Sequence, residues 1–204
     1  MNTEHDLTDA LIRSLDDDPD DLRRLHDRLA AAAEAEGLLD VAYHTIDTPV
    51  GPLLLAATNV GLVRVAYANE GHDAVLQSLA DQISPRILHS AARLDDTARE
   101  LEEYFSRRRH TFDITLDWRL SKGFRSTVLH ALPRISYGHT ASYAAVAQLA
   151  GNPRAVRAVG SACATNPLPV VVPCHRVVRS DGAMGGYLGG VEAKRTLLGL
   201  EAAA

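Results

Sequence analysis

Residues 142–178 read SYAAVAQLAGNPRAVRAVGSACATNPLPVVVPCHRVV, and this stretch decides the fold. Start and stop signals in it predict two short helices, over residues 140–151 and 152–164. The residues expected to cap, open or end these helices are Thr140 or Ser142, Gly151, Asn152 and Pro153. Two short helices joined by an Ala-Gly-Asn-Pro corner are typical of a helix-turn-helix, although ordinary helical domains contain similar corners.

The last part of the stretch, residues 166–178, is predicted to be non-helical because three prolines lie in it. It contains Cys174, followed by His175 and Arg176. A thiolate is the reactive form of cysteine, and a free thiol with a pKa near ~8.5 needs a base or a positive charge to ionise at neutral pH. His175 and Arg176 could supply one or both. Because neighbours on an extended segment point to opposite faces, we expect a bridging water between Cys174 and His175 rather than a direct bond.

Two other interpretations of this cysteine stay open on the residues alone. A lone cysteine in an apolar run is usually a small core residue. A metal site could be built from Cys163, Cys174, His175 and His139, but the spacing of eleven between the two cysteines fits no common zinc pattern. The sequence therefore predicts no metal site and no cofactor.

The net charge of −5 conceals a division along the chain. Residues 1–118 carry 11 Lys and Arg against 23 Asp and Glu, whereas residues 119–204 carry 10 against 3, a net charge of +7. A basic half favours a polyanionic partner, because each neutralised phosphate releases counterions. A solvated basic face would give the same balance.

The composition is that of an ordinary soluble globular protein, with 46% hydrophobic and 23% charged residues. No run of eighteen apolar residues occurs, so no membrane association is expected, and the acidic N-terminus does not resemble a secretory signal. Two cysteines are too few for a disulfide framework, and we expect a cytoplasmic protein.

The chain divides into three predicted segments. Residues 1–40 form an acidic helical leader, in which leucines repeat at helical spacing and Asp18 and Pro19 mark the start of a second helix. A packed or solvated helical pair is favoured there over an element that docks a partner. Residues 41–118 form a small α/β domain with a structural role. Residues 119–204 are mainly helical.

Within the α/β domain, strands are predicted over 41–46, 52–58, 62–68 and 110–116, an apolar run over 86–90, and helices over 72–83 and 94–106. Further helices in the last segment are predicted over 121–135 and 191–201.

The run from Ser142 to Glu201 resembles the C-terminal half of the O6-alkylguanine-DNA alkyltransferases, the methylated-DNA–protein-cysteine methyltransferases. The resemblance is carried by PCHRV at 173–177 with an upstream Asn-Pro, by the helix pattern AGNPxxxRAVG, and by a GYxGG loop. It covers about residues 119–201, and residues 41–118 correspond more loosely. The resemblance implies an α/β (α+β) protein with a small N-terminal ribonuclease-H-like domain and a C-terminal winged helix-turn-helix-like domain.

The resemblance also implies direct-reversal DNA repair in a single turnover, as a methylated-DNA–protein-cysteine S-methyltransferase. Cys174 resembles the alkyl acceptor, which displaces guanine O6 from the alkyl carbon. His175 resembles the family's base, acting through a water, and Glu201 the acid that orients its imidazole, a relay typical of an activated nucleophile. Asn166 resembles the residue that ties the helix-turn-helix to the active-site segment, although a buried structural asparagine would look the same.

The implied partner is double-stranded DNA with an alkylated guanine, which must be flipped out of the stack at a cost of a few kcal/mol. Arg157 resembles the residue that fills the vacated place, and Tyr143 the one that crowds the neighbouring phosphate and bonds the extruded guanine. The small residues expected to let the recognition helix approach the minor groove are Ala155, Ala158 and Gly160. The expected walls of the alkyl pocket and readers of the guanine edge are Pro169, Tyr187, the backbone of Val177 and the N–H of Leu188.

Two departures from the family are visible. Position 188 is leucine where some relatives have a small polar residue, which bears on the tolerance for bulky alkyl groups. No cysteine precedes Cys163, so the cysteine-held zinc of some relatives is not expected. The leader has no counterpart that we can match.

Three alternative functions remain from the sequence: a non-catalytic alkylguanine lesion sensor, a cysteine hydrolase using Cys174, His175 and Glu201, and a DNA-binding regulator whose alkylated form signals damage. The sequence leaves open the range of alkyl groups and any activity on O4-alkylthymine. A monomer is expected, because a single-turnover protein needs no partner subunit.

Overall fold

The structure is a computed structural model that describes residues 19–202, with side chains from residue 24 onward. The first helix of the described residues, α1 (Pro19–Ala35), begins at the proline predicted to open it, which confirms that part of the leader prediction. Asp18 and the earlier leucine repeat lie outside the described residues. Helix α1 exposes Leu25 and Leu29 and belongs to a compact unit of its own.

The N-terminal domain is built on a four-stranded sheet in the order β3-β2-β1-β4. Its strands are β1 (Val41–Ile46), β2 (Leu53–Ala57), β3 (Leu62–Tyr67) and β4 (Ile87–His89). The pairs β1–β2 and β2–β3 are antiparallel, whereas β4 pairs with β1 in parallel after the chain crosses over through α2 (His72–Gln82). The elements predicted over residues 41–90 are confirmed, and the helix predicted over 94–106 is α3 (Asp95–Phe105).

The strand predicted over residues 110–116 is wrong. Within this described segment only Leu116 pairs with the sheet, through an isolated parallel bridge to Leu62. The backbone amide of Asp113 donates to the buried carboxylate of Glu100 at 2.8 Å. A side-chain partner thus satisfies the amide that a strand would have used in its ladder.

Apolar side chains pack on both faces of the sheet. On one face, a small cluster joins Leu54 and Val63 of the sheet to Val75 and Leu79 of α2. On the other face, the main core runs from the sheet through α3 into the C-terminal domain and includes Cys174. The residues from position 40 onward accordingly form one compact unit.

The described part of the C-terminal domain contains the helices α4 (Gly123–Ala131), α5 (Tyr143–Leu149), α6 (Val156–Ala164) and α7 (Gly190–Ala202). Helix α4 is shorter than predicted, because Pro133 lies in a 3₁₀ segment that replaces its last turn. Helices α5 and α6 pack against each other and against α4, as a helix-turn-helix requires. No described helix is long and apolar enough to cross a membrane.

The caps of the helix pair agree with the sequence in part. Ser142 caps α5 by accepting a hydrogen bond of 3.1 Å from the third amide of the helix, and Gly151 (φ +77°) follows the end of α5. The prediction that Asn152 caps the next helix is wrong, because α6 begins at Val156. The carbonyl of Asn152 accepts from the amide of Ala155 and closes a turn before the helix starts.

The segment over residues 166–178 is not fully extended. It contains a 3₁₀ turn at Cys174–Arg176, closed by the amide of Arg176 donating to the carbonyl of Pro173. A short strand, β6 (Val177–Val178), follows and pairs in parallel with β5 (Ala141–Ser142), which directly precedes α5. This pairing brings the PCHRV motif next to the start of the helix-turn-helix.

Candidate active site

Cys174 lies in the 3₁₀ turn that follows Pro173 and is 2% exposed. Its sulfur accepts a hydrogen bond of 3.1 Å from the side-chain amide of Asn166. Burial raises the pKa of the thiol to about 11, against the opposing effects of the Asn166 hydrogen bond and the positive charge of Lys194. At neutral pH the free protein therefore holds a neutral thiol, which needs a base to become a nucleophile.

Asn166 joins the end of α6 to the active-site segment. It is fully buried, and its side-chain nitrogen donates to the carbonyl of Val172 at 2.9 Å as well as to Cys174. Its side-chain oxygen accepts from the amide of Leu168 at 3.0 Å. These bonds fix the loop before Cys174 and the direction from which a donor reaches the sulfur.

The imidazole of His175 and the carboxylate of Glu201 are both buried, with Nε2 and Oε1 2.8 Å apart. Burial would raise the pKa of Glu201, but hydrogen bonds from His175 and Arg176 outweigh it and lower the pKa to about 2. The ionised carboxylate can only accept, so Nε2 of His175 carries the proton and Nδ1 carries the lone pair. Nδ1 is buried and bonds to no described protein atom.

His175 is neutral at physiological pH, because burial lowers its pKa more than Glu201 raises it. Among the described atoms, Cys174 has no direct hydrogen bond to His175; its partner is Asn166. A neutral imidazole with a free lone pair can accept a proton, so Nδ1 is the basic atom at this site. The bridging water stays a prediction.

Arg176 has a different partner from the one suggested by the sequence. Its guanidinium donates to Glu201 from Nε and Nη2, both at 2.9 Å, and to the carbonyl of Ile135 from Nη1 at 2.7 Å. Of the two residues that could supply a base or a positive charge to the thiol, Arg176 has its charge paired with the Glu201 carboxylate, which leaves His175 as the candidate. Tyr104, which donates to Glu201 at 2.7 Å, was not found from the sequence, because it comes from α3 in the other domain.

Lys194 is also missed by the sequence reasoning, which counts it in the basic half that favours DNA. It is fully buried, and its ammonium donates to the carbonyls of Val177, at 2.6 Å, and Met184. Burial lowers its pKa, while the nearby thiol groups favour its charged form. A signal was present: Lys194, Leu197 and Glu201 follow the i, i+3, i+7 spacing of a buried helix face.

The residues expected to form the alkyl pocket lie around the loop between β6 and α7. Pro169 and Val177 are buried, and Tyr187 and Leu188 are partly buried. The ring of Tyr187 meets that of His175 edge to face, with centroids 6.3 Å apart. The carbonyl of Val177, part of the backbone expected to read guanine, already accepts from Lys194.

Tyr143, at the first position of α5, lies over the same loop. A Cβ added at Gly185 would lie 3.1 Å from the Tyr143 hydroxyl, so the two approach closely. Tyr143 is partly exposed, and burial raises its pKa, with further contributions from Cys163 and Cys174. The hydroxyl therefore stays protonated at neutral pH and can donate a hydrogen bond.

The residues expected to meet DNA form a separate group on the outer side of α6. Arg157 and Ala158 are exposed, and Ala155 and Gly160 are partly exposed. A Cβ at Gly160 would meet nothing within 4 Å, so the surface of the helix is open there. Helix α6 thus has a face of small residues with one arginine on it.

The described residues contain no group of three or more His, Cys, Asp or Glu side chains arranged to hold a metal ion. Cys163 and Cys174 are both free and buried thiols. Nδ1 of His139 donates to the carbonyl oxygen of Tyr137 at 3.0 Å, so this histidine is bonded there and not to the cysteines.

A helix-turn-helix beside a buried cysteine, with a histidine–glutamate pair next to it, is the arrangement expected of a protein that carries a thiol nucleophile on a nucleic-acid-binding fold. The sequence profile "6-O-methylguanine DNA methyltransferase, ribonuclease-like domain" matches residues 41–118, and "6-O-methylguanine DNA methyltransferase, DNA binding domain" matches residues 123–203. The chain belongs to this family.

Similar proteins include the methylated-DNA–protein-cysteine methyltransferase of Methanosarcina barkeri, which is 37% identical over 78% of this chain and 96% of its own length. That of Mycolicibacterium paratuberculosis is 38% identical over 79% of this chain and 92% of its own. The crystal structure of the Mycobacterium tuberculosis O6-methylguanine methyltransferase has a TM-score of 0.68 at 35% identity, covering 80% of this chain and 93% of that one. The Mycobacterium tuberculosis protein in complex with DNA has a TM-score of 0.66 at 36% identity, covering 79% and 93%. The predicted fold class is confirmed.

Proposed function

We propose that the protein repairs DNA by direct reversal: it takes the alkyl group from O6 of an alkylated guanine in duplex DNA and keeps it on Sγ of Cys174. The observation that carries the proposal is the buried thiol bonded to Asn166 and next to a histidine whose Nδ1 is basic. Family membership and the methyltransferase names of the relatives support it. Each molecule acts once, because a thioether does not leave the protein as readily as it forms.

The proton and electron balance of the transfer is simple. Nδ1 of His175 takes the thiol proton through one water, and Sγ forms a bond to the alkyl carbon. The bond between that carbon and O6 breaks, and its electron pair stays on guanine. The guanine anion takes up one proton from solvent and stays in the DNA as an ordinary base, while His175 returns the thiol's proton to solvent, so that the protons balance. The Tyr143 hydroxyl donates a hydrogen bond to the departing guanine and stays protonated. Glu201 holds the imidazole in the tautomer that makes Nδ1 the base.

DNA binding places the guanine at this thiol. Eight basic residues of the C-terminal domain are exposed or partly exposed, once the buried Arg176 and Lys194 are set aside, and they can meet phosphates. Three of them, Arg119, Arg179 and Arg195, are ion-paired with acidic neighbours in the free protein. The open face of α6 approaches the minor groove, and Arg157 enters the stack where the flipped base was. Contacts of this kind carry little sequence preference.

The molecule acts as a monomer in the cytoplasm, since one thiol per molecule is consumed and no second subunit is needed for the reaction. Two further expectations belong to the same proposal. The guanine edge is read by the N–H of Leu188 and the backbone of Val177, and the alkyl group lies between Pro169 and Tyr187. O4-alkylthymine is a second candidate substrate.

The test is the mass of the protein after reaction. The protein is mixed with duplex DNA containing one O6-methylguanine, and intact mass and peptide maps are recorded. The Cys174→Ser and Cys163→Ser variants run beside it. One added methyl on Cys174, absent from Cys174→Ser and retained in Cys163→Ser, is expected. Tight lesion binding without a mass change would instead make the protein a lesion sensor, and repeated turnover would make it a hydrolase.

A further inference from the structure

The N-terminal domain reaches the active-site loop through the segment that joins β3 to α2. The hydroxyls of Tyr67 and Tyr187 are 2.9 Å apart, and the two rings meet edge to face with centroids 5.7 Å apart. The side chain of Asn69 donates to the carbonyl of Leu188 at 3.0 Å. Two consecutive residues of the loop are therefore held by side chains from the other domain.

Gly189 makes this contact close. A Cβ at position 189 would lie 2.6 Å from the ring of Tyr67, which is nearer than real contacts allow. Glycine is required there because the Tyr67 ring occupies the space of a side chain. Tyr67 is 2% exposed, and burial raises its pKa, so its hydroxyl stays protonated and keeps its bond to Tyr187.

The same segment is connected to the support of the nucleophile. The carboxylate of Glu70 accepts from the amide of Tyr67 at 2.9 Å and forms an ion pair with Arg64. Arg64 also donates to the backbone carbonyl of Asn166 at 3.4 Å, and the side chain of Asn166 is bonded to Cys174. One carboxylate thus links the residue that holds Tyr187 to the residue that holds the thiol.

We propose that Tyr67 and Asn69 are positioning residues for alkyl transfer, and that through them the N-terminal domain sets the shape of the alkyl pocket. The proposal rests on the proposed function, in which Tyr187 is a wall of the pocket and the N–H of Leu188 reads the guanine edge. The bond to Tyr67 holds the hydroxyl end of the Tyr187 side chain, so the side chain can swing away from the pocket only if that bond breaks. Asn69 fixes the carbonyl of the residue whose amide faces the base. The pair therefore holds the pocket at one size, which favours a small alkyl group.

The test compares Tyr67→Phe and Asn69→Ala with a control, Tyr43→Phe. Tyr43 lies on the same sheet, with its ring against His89. The single-turnover rate at saturating protein is measured with duplexes carrying O6-methylguanine or O6-benzylguanine. The Kd for the methylated duplex is measured on the same variants in a Cys174→Ser background. In each of the two variants, the single-turnover rate with O6-methylguanine at saturating protein is expected to fall about fivefold, as for the loss of one hydrogen bond. The ratio of the rate with O6-benzylguanine to the rate with O6-methylguanine is expected to rise. Kd stays as in the unmodified protein, and the melting temperature falls by no more than about 2–4 °C, as for the loss of one hydrogen bond.

Amide hydrogen exchange over residues 185–190 gives a readout that needs no activity. It is expected to become about fivefold faster in Tyr67→Phe and Asn69→Ala and to stay unchanged in Tyr43→Phe. Unchanged exchange in both variants overturns the proposal, as does an unchanged saturating rate. A rate loss explained entirely by a weaker Kd also overturns it. If the unmodified protein transfers nothing, the proposed function fails, while the exchange result still decides whether the two residues hold the loop.

Discussion

The side-chain nitrogen of Asn166 lies 3.1 Å from the sulfur of Cys174 and donates to it. A thiolate accepts a stronger hydrogen bond than a thiol, so this bond favours the ionised form and opposes the burial that raises the thiol's pKa to about 11. Because the same amide is held by Val172 and Leu168, its geometry is set before any substrate arrives. Asn166 is therefore expected to act in the transfer step itself.

Replacing Asn166 by Asp removes the donor and places a carboxyl group beside the developing thiolate. We expect the saturating transfer rate to fall roughly 10- to 100-fold, because a hydrogen bond to a charged group contributes about 1.5–3 kcal/mol. The rate is measured by mass spectrometry with O6-methylguanine duplex. Asn59→Asp, at an exposed turn between β2 and β3, makes the same chemical change away from the site and should leave the rate as it was. Equal rates for both variants would remove Asn166 from the mechanism.

The pKa of Cys174 predicts a distinctive labelling profile. With a pKa raised to about 11, the thiolate fraction grows about tenfold per pH unit over the neutral and mildly alkaline range. Iodoacetamide labelling of Cys174, followed by peptide mass between pH 7 and 9.5, should therefore rise in the same proportion without a plateau. The pKa of Cys163 is raised further by burial, so this internal control should label more slowly at each pH. A plateau near neutral pH would mean that the free protein already holds a thiolate.

Glu201→Gln should destabilise the fold as well as the chemistry. It leaves the 6%-exposed guanidinium of Arg176 buried without a counter-charge, which costs about 3–5 kcal/mol. Tyr104→Phe removes a single hydrogen bond to the same carboxylate and should cost less, about 1.5–3 kcal/mol. Denaturant unfolding of the three proteins at pH 7 measures both differences. A loss in Glu201→Gln no larger than that in Tyr104→Phe would show that the ion pair contributes little.

The lowered pKa of Glu201 also sets the pH window of its contribution. The folded carboxyl titrates at about 2, below its ordinary value of 4.5. Its contribution to the free energy of unfolding is therefore complete above pH 4.5 and is lost as the pH falls toward 2. Unfolding curves between pH 7 and 3 should show this loss in the unmodified protein and a smaller one in Glu201→Gln.

The elements that the sequence predicts correctly are those whose structure depends on residues close together in the chain. Turn residues between apolar runs are enough to predict β1, β2 and β3, and Ser142 and Gly151 bound α5 as expected. One of the errors involves a side chain from another element. The segment at 110–116 is no strand because Glu100, from a neighbouring helix, takes one of its amides.

The sequence predicts which residues form the candidate site better than it predicts the contacts between them. The PCHRV motif identifies Cys174 and His175, and the helical spacing in α7 places Glu201 toward the core. The partners of Arg176 and the burial of Lys194 depend on how α7 packs on the PCHRV motif. Sequence spacing does not predict contacts between these two separate segments. Tyr67 and Asn69 come from a different domain, more than a hundred residues away from Tyr187 and Leu188 in the chain.

Arg157→Ala tests the role of the exposed arginine on α6. We expect it to slow transfer from duplex DNA by at least about tenfold, because the flipped state, which costs a few kcal/mol, loses the side chain that fills the vacated place. Arg134→Ala removes an equal charge from another exposed position of the same domain and should only weaken DNA binding slightly. Stability should be unchanged in both, since neither side chain is buried. In single-stranded DNA no place in a base-paired stack has to be filled when the lesion is extruded. The transfer rates of the two variants should therefore differ far less with a single-stranded lesion than with duplex DNA.

Alkylation of Cys174 should destabilise the protein that carries it out. The sulfur is 2% exposed and packs in the main core, so a methyl group enters space bounded by Asn166 and its neighbours. Overpacking of this kind costs about 1–3 kcal/mol. The thioether also replaces a thiol that accepts from Asn166, which weakens that bond.

Thermal unfolding of the protein before and after one equivalent of methylated duplex, with the DNA removed, should give a lower melting temperature for the methylated form. The Cys174→Ser variant, treated in the same way, controls for residual DNA. Equal melting temperatures would mean that the site already has room for the product, and the alkylated form would then be no more exposed to degradation than the active one.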